Sequence, residues 1–132
     1  MNIPFSPPDI TEEEIEAVAE VMRSGWITTG PKTKELERKM AEFTHTNRGV
    51  CLNSATSCME MALRLFEIGP GDEVIVPAYT YTASASVVCH VGATLRLVDV
   101  EKGTFHIDYA AVESMINENT KAIIPVDLGG VM

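Results

Sequence analysis

The run Asn53-Ser54-Ala55-Thr56-Ser57 is the segment whose residue types point most directly to ligand binding. It stands between a short apolar stretch and a sequence whose apolar spacing predicts a helix over residues 56–67. A helix N-terminus presents unpaired backbone N–H groups and the positive end of the helix dipole, and both attract anions. Small side chains would let a phosphate group approach. The segment therefore indicates either a phosphate-binding turn or an ordinary Ser/Thr helix cap.

Two aromatic segments are further candidates for ligand contact. Tyr79 and Tyr81 follow a predicted strand, where a tyrosine ring could stack on a flat ligand or cover the hydrophobic core. The only tryptophan begins the segment Trp26-Ile27-Thr28-Thr29-Gly30-Pro31. Its side chain could contact a ligand beside this polar turn or anchor the neighbouring helices. The spacing leaves both alternatives open for each segment.

The other residues with reactive side chains form no recognisable site in the sequence. The three histidines and three cysteines lack the spacing of a metal site, so we expect no bound metal. Asp99 and Asp127 stand at the ends of predicted strands, where they could reach a site or simply terminate the strand. Neither a Ser–His–Asp triad nor a carboxylate pair follows from the order of the residues.

Alternating helices and strands must position these segments. Apolar residues at helical spacing predict helices over residues 11–24, 31–43, 56–67, 82–91 and 109–117. Short apolar runs predict strands over residues 49–52, 73–76, 94–98 and 122–126. This alternation indicates an α/β fold with a mostly parallel sheet, in which ligands bind beyond the carboxyl ends of the strands.

Charge and hydropathy argue against several classes of function. The 132 residues carry a formal net charge of −9, which disfavours nucleic acid and anionic membranes as partners. No apolar run approaches the roughly 20 residues that span a bilayer. The N-terminal sequence also lacks a secretory signal pattern, so we expect a cytoplasmic protein. The last predicted strand has no covering helix after it, and we therefore expect a chain that is truncated at its C-terminus.

Six motifs occur together in one order and spacing. They are IPFSPP at 3–8, GWITTGP at 25–31, NSATS at 53–57, GPGDEVIVP at 69–77, VDV at 98–100 and KAIIPV at 121–126. With these motifs the chain resembles, over essentially its whole length, the DegT–DnrJ–StrS family of pyridoxal-phosphate-dependent nucleotide-sugar aminotransferases.

The resemblance implies a fold and a set of site residues. The fold would be a helical arm over residues 1–48, followed over residues 49–132 by the first half of an aspartate-aminotransferase-type (fold type I) large domain with a mostly parallel sheet. Pyridoxal 5'-phosphate would be the cofactor, and its phosphate would be held by Ser54, Ala55, Thr56 and Ser57. Tyr81 would stack on the pyridine ring, with Tyr79 as the less favoured ring. The sugar nucleotide would lie near Trp26, Thr28, Thr29 and Gly30.

The resemblance also implies a reaction and a homodimer. An amino group, usually from glutamate, would be transferred to a keto sugar attached to a nucleotide. The lysine that forms a Schiff base with the cofactor, and the aspartate that pairs with its ring nitrogen, would lie beyond Met132. We therefore expect this chain by itself to be inactive. Alternatives are a non-catalytic fragment or interaction module, and a related sugar dehydratase in which histidine replaces that lysine. Asp127 stands where the family often has histidine and has no assigned role.

Overall fold

The computed structural model describes residue 4 and residues 6–130. Ile3 and Phe5 of the first family-like motif, and Val131 and Met132, lie outside the described residues. The chain forms two compact units, the arm unit Met1–Cys51 and the sheet unit Leu52–Met132. The functional domains expected over residues 1–48 and 49–132 stay a prediction.

Two helices form the arm unit, α1 at Glu12–Ser24 and α2 at Pro31–Phe43. A capping box begins α1: the Glu14 carboxylate accepts a hydrogen bond from the Thr11 backbone N–H at 2.6 Å. The Thr11 hydroxyl donates to the same carboxylate, and this bond, followed by the one from the Thr11 N–H, holds the pKa of Glu14 below its usual value. Gly25 ends α1 at φ 73°, a conformation that glycine adopts without steric cost. Both helices lie where the apolar spacing predicted them.

The sheet unit alternates helices and strands. Its elements are α3 (Ala55–Leu65), β1 (Glu73–Pro77), α4 (Ala83–His90), β2 (Thr94–Val98), α5 (Tyr109–Met115) and β3 (Thr120–Ile123), followed by a 3-10 turn at Leu128–Gly130. The strands lie in the order β2-β1-β3, and β1 pairs in parallel with both neighbours. This arrangement confirms the predicted α/β class and parallel sheet. No helix among residues 6–130 has the length and apolar character of a bilayer span.

Helices cover the sheet on both faces. On one face, Val74 and Val76 of β1 pack with Leu63 of α3 and with Val87 and Val88 of α4. On the other face, a second buried cluster joins β1 and β2 to α5 and to the segment before it, through Ile75, Val98, Ile107 and Val112. The chain passes from β1 to β2 on one side of it, and then crosses back over β1 to form β3 on the other side. The two crossovers therefore run in opposite directions across the sheet. Right-handed crossovers therefore place α4 and α5 on opposite faces.

Two predicted strands differ from the structure. The segment predicted as a strand over residues 49–52 is irregular, because its Cys51 N–H donates to the Glu37 carboxylate of α2 at 3.0 Å instead of to a strand. The last strand lies at Thr120–Ile123 rather than 122–126. Its ladder continues only to Ile124, whose N–H donates to the Ile75 carbonyl at 2.9 Å. Pro125 follows and has no N–H with which to extend the ladder.

A hairpin-like excursion over residues 99–108 links β2 to α5. Its two arms meet at an antiparallel bridge between Val100 and Ile107. The Asp108 N–H also donates to the Asp99 carbonyl at 3.2 Å, which closes the base of the excursion. Because the excursion leaves β2 at its carboxyl end, it stands at the sheet edge where the ligand-binding loops were expected.

Candidate functional site

The polar turn at residues 53–57 has the geometry of a capped helix N-terminus. Ser54 is the N-cap of α3, and its side-chain oxygen accepts a hydrogen bond from the Ser57 N–H at 3.1 Å. Asn53 Oδ1 accepts hydrogen bonds from the Ser57 hydroxyl at 2.6 Å and from the Ser54 hydroxyl at 3.3 Å. Asn53 therefore orients both serines, a role that the sequence analysis missed although an Asn before a helix is a known turn signal.

The donors that remain in this turn suit an anion. Within the described part of the chain, the Ala55 N–H, the Thr56 N–H and the Thr56 hydroxyl donate no hydrogen bond. They stand at the positive end of the α3 dipole. Three neutral donors at a helix N-terminus match the oxygens of a phosphate group, so the residues present fit the cofactor phosphate. In this geometry the Ser54 and Ser57 hydroxyls serve the turn itself.

The two candidate tyrosines differ in their surroundings. Tyr79 stacks on Phe105 of the 99–108 excursion, with ring centroids 5.0 Å apart and planes at 24°. Tyr81 is 81% exposed, and its backbone carbonyl accepts the Ser84 N–H at the start of α4. Neither ring covers the hydrophobic core. Tyr81 thus presents an open ring face, whereas one face of Tyr79 is occupied.

The turn and Tyr81 lie at the same edge of the sheet. Tyr81 comes between the carboxyl end of β1 and α4, so it stands at the carboxyl edge. Helix α3 ends before the turn that leads into the amino end of β1, so its N-terminus points back toward the carboxyl edge. The two helices pack side by side through Leu63, Val87 and Val88. The fold therefore places the phosphate-binding candidate and the aromatic candidate at the same edge of the sheet.

An ion-paired cluster ties α3 to α4. Glu60 accepts hydrogen bonds from Arg64 Nε at 3.0 Å and Arg64 Nη2 at 2.8 Å, and its other oxygen lies 2.9 Å from His90 Nδ1. The Arg64 guanidinium, followed by the His90 ring, holds the pKa of Glu60 below its usual value. Glu60 and His90 therefore have a structural role: they hold α4, which follows Tyr81, against α3, which follows the polar turn.

The tryptophan segment lies in the arm unit. The Trp26 indole N–H donates to the Thr29 carbonyl at 2.9 Å, and the ring folds onto Gly30, where a Cβ would overlap ring atoms Cδ1 and Nε1. Trp26, Thr28 and Gly30 line a cavity of about 350 Å³. Trp26 is 58% exposed, so one side of the indole is open beside this cavity. Within the part of the chain that the structure describes, no three metal-ligating side chains cluster anywhere.

Comparison with known proteins identifies the class of protein. Residues 8–132 match the DegT/DnrJ/EryC1/StrS aminotransferase family. Because the match covers nearly the whole sequence, the chain belongs to this family of aminotransferases, as the motifs predicted. The expected fold is also confirmed: the described structure corresponds to the amino-terminal portion of a fold type I aminotransferase.

Individual relatives are similar to the chain over most of its length. The UDP-4-amino-4-deoxy-L-arabinose--oxoglutarate aminotransferase of Shewanella sediminis (strain HAW-EB3) is 44% identical over 128 residues, which are 97% of this chain and 33% of that protein. A putative sugar aminotransferase of Streptococcus pneumoniae, Spr1654, is 62% identical with a TM-score of 0.95 over 100% of this chain and 34% of its own. The aminotransferase from Psychrobacter cryohalolentis is 34% identical, with a TM-score of 0.89 over 98% of this chain and 33% of its own.

These comparisons confirm the cofactor expected for the family. Structures of the Streptococcus pneumoniae relative include a PLP-form and a PMP-form, and aminotransferases of this family use pyridoxal phosphate. The chain spans about a third of the length of the relatives that it matches.

Proposed function

We propose that this chain is the amino-terminal portion of a pyridoxal-phosphate-dependent aminotransferase that acts on a nucleotide-linked keto sugar with glutamate as amino donor. The observation that carries the proposal is the pairing of the open N-terminus of α3 with the exposed Tyr81 ring at one sheet edge, inside a domain of this family. The name of the Shewanella relative joins a UDP-linked amino sugar to oxoglutarate, the keto acid that glutamate becomes on losing its amino group. That name supports both the donor and the acceptor.

The proposal assigns a role to each candidate residue. The backbone N–H groups of Ala55 and Thr56 and the Thr56 hydroxyl bind the cofactor phosphate, and Ser54 and Ser57 hold the turn in shape. Tyr81 covers one face of the pyridine ring. The bound cofactor supplies an electron sink for amino transfer. The sugar nucleotide contacts Trp26, Thr28, Thr29 and Gly30 in a cytoplasmic homodimer whose functional domains divide after residue 48.

Two substitutions test the cofactor site, one at the residues that bind the phosphate and one at the residue that contacts the pyridine ring. Thr56→Ala removes a donor to a charged phosphate, so it should weaken binding of both pyridoxal phosphate and inorganic phosphate by about tenfold. Tyr81→Ala removes only the ring contact, so it should weaken pyridoxal phosphate by about 2- to 10-fold and leave inorganic phosphate unchanged. Calorimetric titration of the 132-residue chain measures both constants.

The control is Thr94→Ala, which removes an exposed hydroxyl at the amino end of β2. It should bind both ligands as the parent chain does. If pyridoxal phosphate binds equally well to Thr56→Ala, Tyr81→Ala and the parent chain, the cofactor site is not here.

We further propose that the chain by itself does not catalyse transamination, because none of its lysines stands at the position of the family's Schiff-base lysine, which the resemblance places beyond Met132. Lys121 is the second residue of β3, near the amino edge of the sheet, and its ammonium group donates to the Glu118 carbonyl at 2.9 Å. Lys32 and Lys39 pair with glutamates of the arm unit. Borohydride reduction with pyridoxal phosphate, followed by mass spectrometry, should find no single preferred lysine. Specific labelling that Lys102→Ala abolishes would contradict this proposal.

A second candidate function for the chain by itself is an interaction module. Large apolar side chains are exposed on both units, among them Phe43, Leu65 and Phe66, and apolar surface of this kind marks sites of association. Light scattering should show self-association that increases with concentration. A monomer at all concentrations would count against this candidate.

A further inference from the structure

A cleft at the carboxyl edge of the sheet has no role in the function proposed above. It has a volume of about 270 Å³ and lies between the 99–108 excursion, the start of α5 and the segment after β3. Its lining residues are His106, Ile107, Tyr109, Pro125, Val126 and Asp127. We call it the post-β3 cleft.

Three polar side chains of the post-β3 cleft are available to a ligand. Among the described residues, no hydrogen bond involves the Asp127 carboxylate, the His106 ring or the Tyr109 hydroxyl. The other aspartates of the sheet unit are already engaged, since each accepts a backbone N–H in a turn or cap: Asp72, Asp99 and Asp108. Asp127 therefore differs from its counterparts in having no such structural partner in the part of the chain that the structure describes.

The position of the cleft in the sheet is one where α/β folds bind ligands. In the strand order β2-β1-β3, the crossover after β1 and the crossover after β2 run in opposite directions across the sheet. Such a change of direction opens a crevice beyond the carboxyl ends of β1 and β3. An adjoining cavity of about 180 Å³ shares His106 and is also lined by Phe105. Phe105 stacks on Tyr79 in the loop after β1. The residue beside His106 of the post-β3 cleft, Phe105, thus contacts the loop that carries Tyr81.

The chemistry of the lining selects the class of ligand. No lysine or arginine stands among the described lining residues, and the Asp127 carboxylate repels anions, so a phosphate or carboxylate group is disfavoured. A carboxylate accepts hydrogen bonds from hydroxyl groups, while imidazole and phenol can both donate and accept. Ile107 and Val126 add apolar surface for C–H groups.

We propose that the post-β3 cleft is a subsite for the hydroxyl groups of an uncharged sugar ring. The choice of a sugar rests on the proposed function, in which the substrate carries one. The cleft would hold the sugar through Asp127, His106 and Tyr109, separately from the cofactor phosphate at the N-terminus of α3. Asp127 gains a role here that the sequence alone did not give it.

The test is a titration of the 132-residue chain with methyl β-D-glucopyranoside, followed by backbone amide NMR. Saturable shifts should appear at His106, Tyr109 and Asp127, with a dissociation constant of about 1–10 mM. Asp127→Ala should weaken binding by about tenfold, because hydrogen bonds to a charged acceptor are lost. Tyr109→Phe, which removes only the hydroxyl, should weaken binding by about 2- to 5-fold.

The matched control is Asp9→Ala in the arm unit, an exposed aspartate that should leave glycoside binding unchanged. Preserved amide dispersion shows that each variant remains folded. Absence of saturable shifts, or equal shifts in Asp127→Ala, would overturn the proposal. So would Asp127-dependent binding of methylammonium that is tighter than that of the glycoside, because the cleft would then be a cation site.

This titration contains no pyridoxal phosphate, so its outcome is independent of the cofactor test. A chain that binds pyridoxal phosphate through Thr56 and Tyr81 but ignores the glycoside contradicts the sugar subsite alone. A chain that binds the glycoside but not pyridoxal phosphate contradicts the proposed cofactor site alone.

Discussion

The arm unit and the sheet unit have similar apolar patterns in sequence but differ in what they bury. The three central residues of β1, Val74, Ile75 and Val76, are 0% exposed. The apolar faces of α1 and α2 remain open, with Met22 67% exposed and Phe43 81% exposed. In the described arm unit, Ala41 is the buried residue of the two helices.

The difference shows that periodicity sets which face of an element is apolar, whereas topology sets whether that face is covered. A strand between two parallel neighbours, with helices on both faces, has its side chains enclosed whichever way they point. Helices α1 and α2 of the arm unit follow each other along the chain, and neither is enclosed by neighbours on both sides as β1 is. The two units should therefore respond very differently to loss of the same side chain.

The largest expected effect follows from shortening an isoleucine in each unit. Ile75→Ala removes a fully buried side chain between the sheet and α5, so it should lower the free energy of unfolding by about 2–5 kcal/mol. Ile15→Ala, at an exposed position of α1, should change it by less than about 0.5 kcal/mol. Urea unfolding followed by circular dichroism measures both changes.

If Ile75→Ala does not fold, Ile75→Val serves instead, with an expected loss of about 0.5–1.5 kcal/mol. Equal losses at the two isoleucines would break the comparison, because the α1 face would then be covered in solution.

A smaller effect is expected where the arm unit is tightly packed. Gly30→Ala places a methyl group against the Trp26 indole, so it should cost about 1–3 kcal/mol and shift the emission of the single tryptophan. Gly69→Ala is the matched control, since its nearest neighbour, the Val91 carbonyl oxygen, stands 3.6 Å from the added Cβ. Fluorescence-monitored unfolding of the two variants measures the difference. An unchanged Trp26 spectrum in Gly30→Ala would show that the indole does not rest on Gly30.

The smallest expected effect compares two glutamates whose carboxylates are ion-paired. Glu60 joins α3 to α4, whereas Glu35 pairs with Lys39 within α2. Hydrogen bonds from Arg64 and from Lys39 hold both pKa values below the usual 4.5. Each carboxylate therefore stabilises the fold fully above that value, and the contribution is lost as the pH falls through the lower folded-state pKa.

Glu60→Gln should lower the melting temperature at pH 7, and the gap from the parent chain should close as the pH falls below about 4. Glu35→Gln should show the same pH dependence with a smaller gap, because its pair lies within one helix. Scanning calorimetry across this pH range measures both. A Glu60→Gln gap that persists in acid would rule out the ion pair as its cause.

Much of the fold could be predicted from the sequence, because local signals agree with the topology. The capping box at Thr11, the stop at Gly25 and Pro31 at the start of α2 place the arm helices closely. The segment at residues 49–52 could not be placed in this way. Its apolar run suits a strand, but a hydrogen bond to Glu37, fourteen residues earlier, engages its backbone instead. Such a partner is fixed by packing and not by local pattern.

The candidate site was predictable in its residue types but not in its geometry. The sequence located the polar turn and both tyrosines, and the motifs indicated the family. The stacking of Tyr79 on Phe105 could not be read from the sequence, because it depends on an excursion that folds back across the sheet edge. Nor could the sequence show that Asn53 engages both serine hydroxyls of the turn. The assignment of these residues to a cofactor stays a prediction.

The central place of β1 has a consequence for the order in which the sheet unit assembles. Its contacts with β2 begin at Glu73 with Thr94, and those with β3 join Glu73 to Thr120, more than twice as far along the chain. Each doubling of a loop adds about 0.6 kcal/mol to the entropy cost of closing it. A nascent chain can therefore form the β1–α4–β2 unit first, while β3 docks later onto an edge that is already made.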